Sequence, residues 1–449
     1  MTREKYESLP LTTLKELAKA RKMKGISTMK KTNLIEAMLS QDEKENMEEA
    51  RAEAKEEVKE ELKEKKDSTD IEQLDSGKTA NGILEVLPDG YGFIRCENYL
   101  PGENDVYVSP SQIRRFNLKT GDIISGNTRV KTQSEKFSAL LYLSTINGMR
   151  PAAAAKRHNF EDLTPIFPNR RLRLETQGCS TAMRIVDLLS PIGKGQRGMI
   201  VSPPKAGKTT LLKEVALSVQ KSEPNMHLLI LLIDERPEEV TDIKEAIGGP
   251  NVEVIYSTFD ELPEHHKRVS EMVIERAKRL VEHGKDVMIL LDSITRLARA
   301  YNLTVPPSGR TLSGGLDPAA LHMPKRFFGA ARNMREGGSL TILATALVDT
   351  GSKMDDVVYE EFKGTGNMEL VLDRRLQEKR VFPAIDIPKS GTRREDLLLT
   401  REEQDAVYII RRAMNGMKAD DAVDNLLNMF SRMKTNAELV QQVIRQKFI

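Results

Sequence analysis

The sequence contains very little cysteine and no long apolar run. Cys96 and Cys179 are its two cysteines, and nothing pairs them with His or with each other at metal-ligand spacing. No run of about 18 apolar residues occurs, so we expect no transmembrane helix. The opening MTREKYESLP carries charges and is not followed by the apolar region of a secretory signal. These absences argue against a membrane-spanning or secreted protein and indicate a reduced, cytoplasmic setting.

The net charge is also small. The 69 Lys and Arg residues nearly balance the 67 Asp and Glu residues, which leaves a formal net charge of +2. A charge this small creates no strong overall field for a polyanion, so any basic surface must be local. Part of the balance comes from residues 41–67, which contain twelve acidic and seven basic residues and few apolar ones. Such a stretch cannot bury a core, which favours a solvated helix or a flexible tether.

The 449 residues are enough for roughly two to four domains. Residues 1–40 contain two short runs with helical spacing of apolar residues, and the charged insertion or tether is assigned to 41–78. Residues 79–150 contain five short strand-like runs separated by turn signals: ILEVL, GFIRC, DVYV, DIISG and SALLYL. Five short strands in so small a segment predict a barrel of the oligonucleotide-binding (OB) type.

The second half of the chain has the pattern of an α/β domain. After a basic, proline-punctuated linker over 151–175, apolar runs alternate with helical stretches: MIV, LLILLI, VEVIY, VMILL, LTILATAL and VFPAI. Strands that are apolar on both faces are typical of a mostly parallel sheet covered by helices. We therefore predict an α/β domain over 176–400 and a helical subdomain over 401–449, in a multidomain α/β protein with a small β-barrel.

A phosphate-binding loop follows the MIV strand directly. A tight loop leads into Gly-Lys-Thr and then into an apolar helix. Backbone N–H groups at a helix N-terminus cradle phosphate oxygens, the lysine places its charge against the β and γ phosphates, and the threonine hydroxyl ligates Mg²⁺. Ser202 stands where the motif usually has its first glycine. The residues assigned to nucleotide binding here are Pro204, Lys205, Ala206, Gly207, Lys208, Thr209 and Thr210.

Carboxylates follow two other apolar strands. Asp292 ends the VMILL strand, where a magnesium site needs an acid, although it could instead cap the next helix. Asp234 and Glu235 end the LLILLI strand and should face the crevice at the carboxyl ends of a parallel sheet. Either could polarise an attacking water, and we favour Glu235 as the general base. Arg236 beside it could be structural or could transmit the state of the site to a neighbour.

Aromatic residues alternate with glycine along one strand of the predicted barrel. Tyr91 and Phe93 share a strand face, with Gly92 between them. Aromatic rings on such a strand stack on unpaired bases, at about 1–3 kcal/mol each, and we expect the glycines to let the strand approach the bases. The same spacing fits rings that point into the barrel core, so the pattern leaves both arrangements open. A glycine- and proline-rich connection over 302–317 is long for a compact domain and favours a functional loop.

Several longer strings closely resemble the bacterial transcription termination factor Rho family. They are VSPPKAGKTT, LLIDERPEEVTDI, DSITRLARAYN, PKRFFGAARN, ATALVDTGSKMDD, EEFKGTGNMEL, RVFPAID and SGTRREDLL. The resemblance implies a homohexameric ring with a RecA-like motor, over 176–400, that hydrolyses ATP with Mg²⁺. It also implies movement along single-stranded RNA and action on the RNA polymerase elongation complex.

The resemblance implies roles for individual residues as well. Those matching the motor's ATPase machinery are Lys205, Lys208 and Thr209 on phosphates and magnesium, Glu235 and Asp292 as acids, Arg393 as an arginine finger, Arg380 as a second interface arginine, and Phe382 as the platform for adenine. Those matching the RNA-contacting positions are Tyr91, Phe93, Arg95, Tyr107, Glu135 and Phe137 in the barrel, and Gly309, Arg310 and Lys353 in two pore loops.

Two other interpretations stay open. One is a rotary or secretion-type ATPase of the same RecA-like class, in which the barrel packs the ring and binds no RNA. The other is a passive RNA-binding regulator with a degenerate nucleotide site. The presence of Lys208, Thr209, Glu235, Asp292 and Arg393 together counts against the second alternative.

Overall fold

The computed structural model divides the chain into two compact units, residues 1–75 and 76–449. It describes residues 74–131, 135–415, 417 and 419–446, together with Pro10, Thr13, Leu14, Leu17, Ala18, Lys31, Asn33, Ile35, Glu36 and Met38. All of these isolated positions except Pro10 are helical, and Leu14, Ala18, Ile35 and Met38 are buried, in line with the predicted amphipathic helices. Of the insertion or tether assigned to 41–78, residues 41–73 lie outside the described residues, and the assignment of 75–78 is wrong because these residues begin the first barrel strand.

The five strands predicted for the barrel are confirmed. They form a closed barrel in the order β1-β2-β3-β5-β4, with bounds β1 Asp75–Val86, β2 Gly92–Arg95, β3 Val106–Val108, β4 Ile123–Arg129 and β5 Ser138–Ile146. Helix α1, Pro110–Arg115, follows β3 and begins with a capping box made by Ser109 and Gln112. Gly90 closes the β1–β2 turn with a φ of 86°, a conformation that glycine adopts without steric cost.

The segment predicted as a linker contains short ordered elements, of which the first packs in the barrel core through Ala154 and the later ones join the α/β domain. They are α2 Pro151–Ala154, a 3₁₀ turn at Phe160–Asp162, β6 Pro165–Ile166 and β7 Arg171–Leu172. The side chains of Phe160, Leu163 and Leu174 are buried. Because β6 pairs with β13 (Arg332–Met334) of the main sheet, the later part of the connector belongs to the α/β domain.

The α/β domain is built on a mostly parallel sheet. Its main path runs β11-β10-β12-β14-β9-β15-β16. The bounds of its strands and of the short β8 are β8 Ile192–Gly193, β9 Arg197–Ser202, β10 His227–Glu235, β11 Val252–Thr258, β12 Asp286–Asp292, β14 Ser339–Leu347, β15 Met368–Val371 and β16 Gly391–Thr392. Neighbours from β11 through β15 pair in parallel, whereas β15 and β16 are antiparallel.

Helices cover both faces of this sheet, as the apolar runs predict. Alternate residues of β10 enter two different cores: Leu228 and Ile230 pack in one, Leu229 and Leu231 in the other. The helices are α3 Thr181–Leu189, α4 Lys208–Ser222, α5 Pro237–Ala246, α6 Pro263–Glu282, α7 Ile294–Thr304, α8 His322–Gly329, α9 Lys353–Lys363 and α10 Arg374–Glu378, with 3₁₀ turns at Ser313–Gly315, Pro318–Leu321 and Glu395–Leu397.

The carboxyl-terminal region is helical, as predicted. It consists of α11 Arg401–Met414, α12 Ala419–Arg432 and α13 Asn436–Gln446, which pack in the same core as α3 and α4. Across the described ranges, no helix combines the length and the apolar character needed to cross a membrane.

One strand prediction is wrong. The VFPAI segment forms no strand, and only Ile385 makes an isolated bridge, to Leu372. Pro383 has no N–H to donate to a ladder, and the sheet position next to β9 is taken by β15 instead.

Candidate functional site

The predicted phosphate-binding loop lies between β9 and α4. Lys205 and Gly207 have φ values of 64° and 89°, and Gly207 is the N-cap of α4. Left-handed residues in a turn aim successive backbone N–H groups inward and produce an anion-binding concavity. Ser202, in the place of the usual glycine, is buried, and its hydroxyl donates to the Pro203 carbonyl at 2.8 Å. The substitution therefore leaves no polar atom of this side chain to be satisfied by a ligand.

Two buried carboxylates lie against the lysine of this loop. The Lys208 Nζ donates to Glu235 Oε1 at 2.8 Å and to both carboxylate oxygens of Asp292 at 2.7 Å. Glu235 and Asp292 are only 2% and 1% exposed. They meet because β10 and β12 are parallel neighbours whose carboxyl ends lie at one edge of the sheet. The structure thus brings together three predicted site residues from three separate strand ends.

Local backbone geometry separates Glu235 from its neighbour Asp234. The β10–β11 register shifts between Ile233 and Glu235, and Asp234 has a φ of 58°. An irregularity of this kind re-aims the side chains on either side of it. Glu235 is consequently turned into the site, whereas Asp234 is 38% exposed.

The N-cap of α7 is Ser293, whose hydroxyl accepts from the Arg296 N–H. Asp292 therefore does not cap that helix. Its Oδ1 also accepts from the Thr345 hydroxyl at 2.7 Å. Arg296 reaches Glu235 Oε2 at 3.1 Å. Sequence reasoning missed Arg296 and Thr345. Arg296 lies in the first helical turn after Asp292, and Thr345 is a polar residue within the predicted strand LTILATAL.

The electrostatics of the cluster favour proton acceptance by Glu235. Burial and the negative charge of Asp292 raise its pKa above the ordinary value of a glutamate, although Lys208 opposes the shift. For Lys208, burial by itself would lower the pKa, but the charges of Asp292 and Glu235 outweigh it, and the pKa is raised. The lysine is therefore charged, and the glutamate has the elevated basicity that general bases need.

A cavity of about 430 Å³ lies next to the phosphate-binding loop. It is lined by the exposed ring of Phe382 and by loop and helix residues that include Ala206, Gly207, Thr210 and Leu372. The structure thus brings Phe382 to the loop from a segment more than 170 residues further along the chain. A flat apolar ring beside a phosphate site is a suitable surface for a nucleobase.

The three predicted arginines lie outside the carboxylate cluster. Arg236 is the exposed N-cap of α5, and Arg380 is exposed with a φ of 61°. Arg393 is exposed beside β16 and lines a different cavity, of about 750 Å³, that shares no lining residue with the cavity at Phe382. The structure therefore does not bring Arg393 to the phosphate-binding loop of its own chain.

The predicted RNA-contacting aromatics form one cluster on the outside of the barrel. Ring centroids lie 5.9 Å apart for Tyr91 and Phe93, 5.7 Å for Tyr91 and Tyr107, and 5.1 Å for Phe93 and Phe137. All of these rings are half-buried, whereas Ile94, between them in sequence, lies in the barrel core. The inward arrangement left open by the sequence is therefore wrong.

The expected role of Gly92 is wrong as well. This glycine faces the barrel, and a Cβ atom on it would lie 2.8 Å from the Glu85 carbonyl oxygen. The glycine is required for close packing of β2 on β1. Arg95, also on β2, is nearly buried and paired with Glu85 and Asp105. Glu135 forms an ion pair with Arg129 near the cluster.

The two predicted pore loops contact each other. Gly314 packs so closely on the start of α9 that a Cβ atom on it would lie 2.5 Å from the Met354 nitrogen. Gly309, Arg310 and Lys353 are all exposed. One surface therefore combines the loop after α7 with the loop before α9.

Comparisons with known proteins define the class first. Residues 182–392 match the family model described as ATP synthase alpha/beta family, nucleotide-binding domain. The assembled ATPase EscN of the type III secretion system of enteropathogenic E. coli has the same fold, with a TM-score of 0.53 at 20% identity over 71% of this chain and 78% of that one. A prototypical type III secretion ATPase matches with a TM-score of 0.52 at 20% identity over 63% and 88% of the two chains. The α/β domain is thus a nucleotide-binding domain of the ATPase type, joined to an OB-type barrel.

The barrel and the close relatives define the family. Residues 80–152 match the model described as Rho termination factor, RNA-binding domain. The chain is 58% identical to transcription termination factor Rho of Bacillus subtilis over 358 residues, 80% of this chain and 83% of that protein. It is 57% identical to that of Escherichia coli K12 over 370 residues, 81% and 88% of the two chains. The chain belongs to the transcription termination factor Rho family, which confirms the predicted family, fold class and RNA-dependent ATPase function in termination.

Proposed function

We propose that the protein works as a homohexameric, ATP-dependent RNA translocase and RNA–DNA helicase in the cytoplasm, where it releases transcripts from the RNA polymerase elongation complex. The observation that carries this proposal is the presence, in one chain, of the Lys208–Glu235–Asp292 cluster and of an outward-facing aromatic surface on an OB-type barrel. The cluster supports hydrolysis of a nucleoside triphosphate. The aromatic surface supports capture of unpaired bases.

Nucleotide binding changes the partners of Lys208. The loop amides and Lys205 take the phosphates, and Phe382 stacks on the adenine. Lys208 then moves from the two carboxylates to the β and γ phosphates, which frees Glu235 to orient a water and accept its proton. Because the pKa of Glu235 is already raised by burial and Asp292, it accepts that proton more readily than an ordinary glutamate.

The donor set near the loop fits a magnesium ion. Asp292 supplies carboxylate oxygens that already hold a cation, the Lys208 ammonium, at 2.7 Å, and Thr209 adds a hydroxyl at the start of α4. Oxygen donors of this kind are those that Mg²⁺ prefers. When bound, the ion would neutralise charge on the phosphates.

Arg393 is proposed to act on a neighbouring subunit. It is exposed and lines a cavity that shares no lining residue with the cavity beside the nucleotide loop of its own chain, which suits a residue that acts across an interface. Such an arginine stabilises charge on the transferring phosphoryl group and contributes roughly 10³–10⁵ in rate where it has been measured in related chemistry. Hydrolysis would then require ring assembly, with Arg236 and Arg380 near the same interface.

The RNA path is proposed to have two parts. Single-stranded RNA first binds the barrel through Tyr91, Phe93, Arg95, Tyr107, Glu135 and Phe137. It then enters the pore, where Gly309, Arg310 and Lys353 of the two adjoining loops contact its backbone. The contact between these loops at Gly314 supports their action as one unit.

The test is an ATPase titration with poly-cytidine and poly-adenosine RNA, with the assembly state followed by light scattering. We expect turnover to depend on single-stranded RNA and on assembled particles. The double variant Tyr91→Ala with Phe93→Ala should need far more RNA for the same turnover. RNA-independent turnover that survives this double variant would instead favour a secretion-type ATPase, and termination retained by Glu235→Ala would favour a passive RNA-binding regulator.

A further inference from the structure

One face of the barrel continues from the aromatic surface into the contact with the α/β domain. In the β1–β2 ladder Glu85 lies opposite Phe93 and Ile83 opposite Arg95, and in the β2–β3 ladder Phe93 lies opposite Tyr107. Directly paired residues of an antiparallel ladder project to the same side of the sheet. At one end of this face the aromatic rings are half-exposed. At the other end Ile83 is buried in the apolar core that contains α6.

An ion-pair network occupies the boundary between these two ends. Arg95 donates from Nε to Glu85 Oε2 at 2.7 Å and also pairs with Asp105. Glu85 in turn accepts from Arg268 Nη2, on α6, at 2.7 Å to each of its carboxylate oxygens. Glu85 therefore connects an arginine of the barrel with an arginine of the α/β domain.

The network lies directly under the aromatic surface. The Cζ atom of Arg95 lies 5.0 Å from the centroid of the Phe93 ring. Phe93 in turn contacts Phe137, and Arg95 is 6% exposed, so its position depends on its ion-pair partners. Two arginines and two carboxylates make up the network, and their formal charges cancel. The aromatic surface therefore presents no net charge from this network to an RNA phosphate.

We propose that Arg268, a residue of the α/β domain, is a positioning residue of the RNA surface of the barrel. It holds Glu85 in place under Arg95, and its charge balances the excess carboxylate beside the bound RNA. The proposal rests on the proposed RNA-binding role of the barrel. It makes the RNA site a property of both domains together, because one of the four charges beneath it comes from α6.

Because the network is neutral, removing a positive member and removing a negative member should change RNA affinity in opposite directions. Arg268→Ala leaves one arginine against two carboxylates, so the network becomes negative and repels phosphates. Glu85→Gln leaves two arginines against one carboxylate, so it becomes positive and attracts them. The double variant Glu85→Gln with Arg268→Ala restores neutrality. We expect a change of one partly buried charge here to alter affinity by about two- to fivefold at low salt.

The experiment measures binding of a fluorescein-labelled oligocytidine RNA to the full-length protein by fluorescence anisotropy, at low and at high salt. We expect affinity to fall in Arg268→Ala, to rise in Glu85→Gln, and to return to the wild-type value in the double variant. Because the effect is electrostatic, the differences should shrink at high salt. Lys278→Ala is the matched control, since Lys278 lies on the same helix and pairs with Glu161 and Glu275.

Other outcomes would overturn the proposal. If Arg268→Ala and Glu85→Gln both weaken binding, and the double variant is no better than Arg268→Ala, the network is a structural tie between domains. Should Arg268→Ala be too unstable to measure, a loss of affinity in Glu85→Gln alone contradicts the charge argument. If Phe93→Ala weakens binding while Arg268→Ala binds like the wild type, only this proposal fails. If the wild type binds no single-stranded RNA, the proposed function fails with it.

Discussion

Replacing Lys208 should weaken the nucleotide-free protein as well as its catalysis. In Lys208→Met, Glu235 and Asp292 lose the ammonium group that each contacts at 2.7–2.8 Å. Arg296 still pairs with Glu235, and Thr345 still donates to Asp292. The two buried carboxylates are then no longer balanced by a nearby ammonium charge. Either one of them takes up a proton, or the folded state of the domain is destabilised.

The size of the effect follows from the burial of the cluster. Removing one partner of a buried ion pair costs about 3–5 kcal/mol. Lys208 is 17% exposed, so the lower end applies, about 3 kcal/mol at neutral pH. For a domain of this size, that loss lowers the melting temperature by roughly 6 °C.

The loss should depend on pH. The pKa of Glu235 is raised by burial and by Asp292 in the wild type, and removing Lys208 raises it further. A carboxyl group whose folded-state pKa is raised destabilises the protein once it ionises, so stability is lost as pH rises above its unfolded pKa of about 4.3. We therefore expect a larger deficit at alkaline than at mildly acidic pH.

Differential scanning calorimetry of the nucleotide-free protein across this pH range measures the effect. The matched control is Lys205→Met, because Lys205 lies exposed in the same loop. Both variants should lose ATPase activity, but only Lys208→Met should melt early. The reasoning is refuted if the two variants melt at the same temperature throughout the pH range.

Three further predictions concern the proposed roles of single residues. Glu235→Gln should lower kcat by about 10²–10⁴ with nucleotide binding retained, measured by single-turnover hydrolysis beside equilibrium binding; an unchanged rate would remove Glu235 as the base. Phe93→Ala should weaken RNA binding by about 1–3 kcal/mol and raise the RNA concentration for half-maximal ATPase activity without changing kcat, whereas Phe167→Ala, an exposed ring outside the barrel, should do neither. Arg393→Lys should abolish RNA-stimulated turnover in particles that assemble normally, whereas Arg394→Ala, which breaks a surface pair with Asp396 and a cation–π contact with the Phe167 ring, should keep it.

Much of the fold could be predicted because its strands carry strong local signals. Runs such as LLILLI and VMILL are apolar at every position, and the structure buries both of their faces between helices. The barrel strands range from three residues in β3 to twelve in β1, and turn signals between them, such as Gly90 with its positive φ, mark where they end. VFPAI is also apolar and yet forms no strand. An apolar run indicates that a segment is buried but does not specify its backbone conformation, and Pro383 lacks the N–H that a strand ladder requires.

The sequence predicted which carboxylates lie at the site, because they follow strand ends, but not which side chains contact each other there. Glu235 and Asp292 were expected at the edge of the sheet because parallel strands end together there. The direct contact of both with Lys208 depends on side-chain packing, and so do the partners Arg296 and Thr345. A sequence pattern does not encode such contacts, because they join residues up to 84 positions apart.

For Arg95, the residue type does not determine how much of its positive charge is available to a ligand. The family resemblance implies that it contacts RNA, and an arginine on a strand next to aromatic rings suggests a free positive charge. In the structure Asp105 and Glu85 neutralise it, and Glu85 is shared with Arg268, 183 residues away from it in the chain. The positive charge that Arg95 can direct at a phosphate therefore depends on how fully Arg268 neutralises Glu85. If Arg268 acts as proposed, the affinity of the barrel for RNA depends on its docking on α6, and by thermodynamic linkage bound RNA should in turn strengthen that docking.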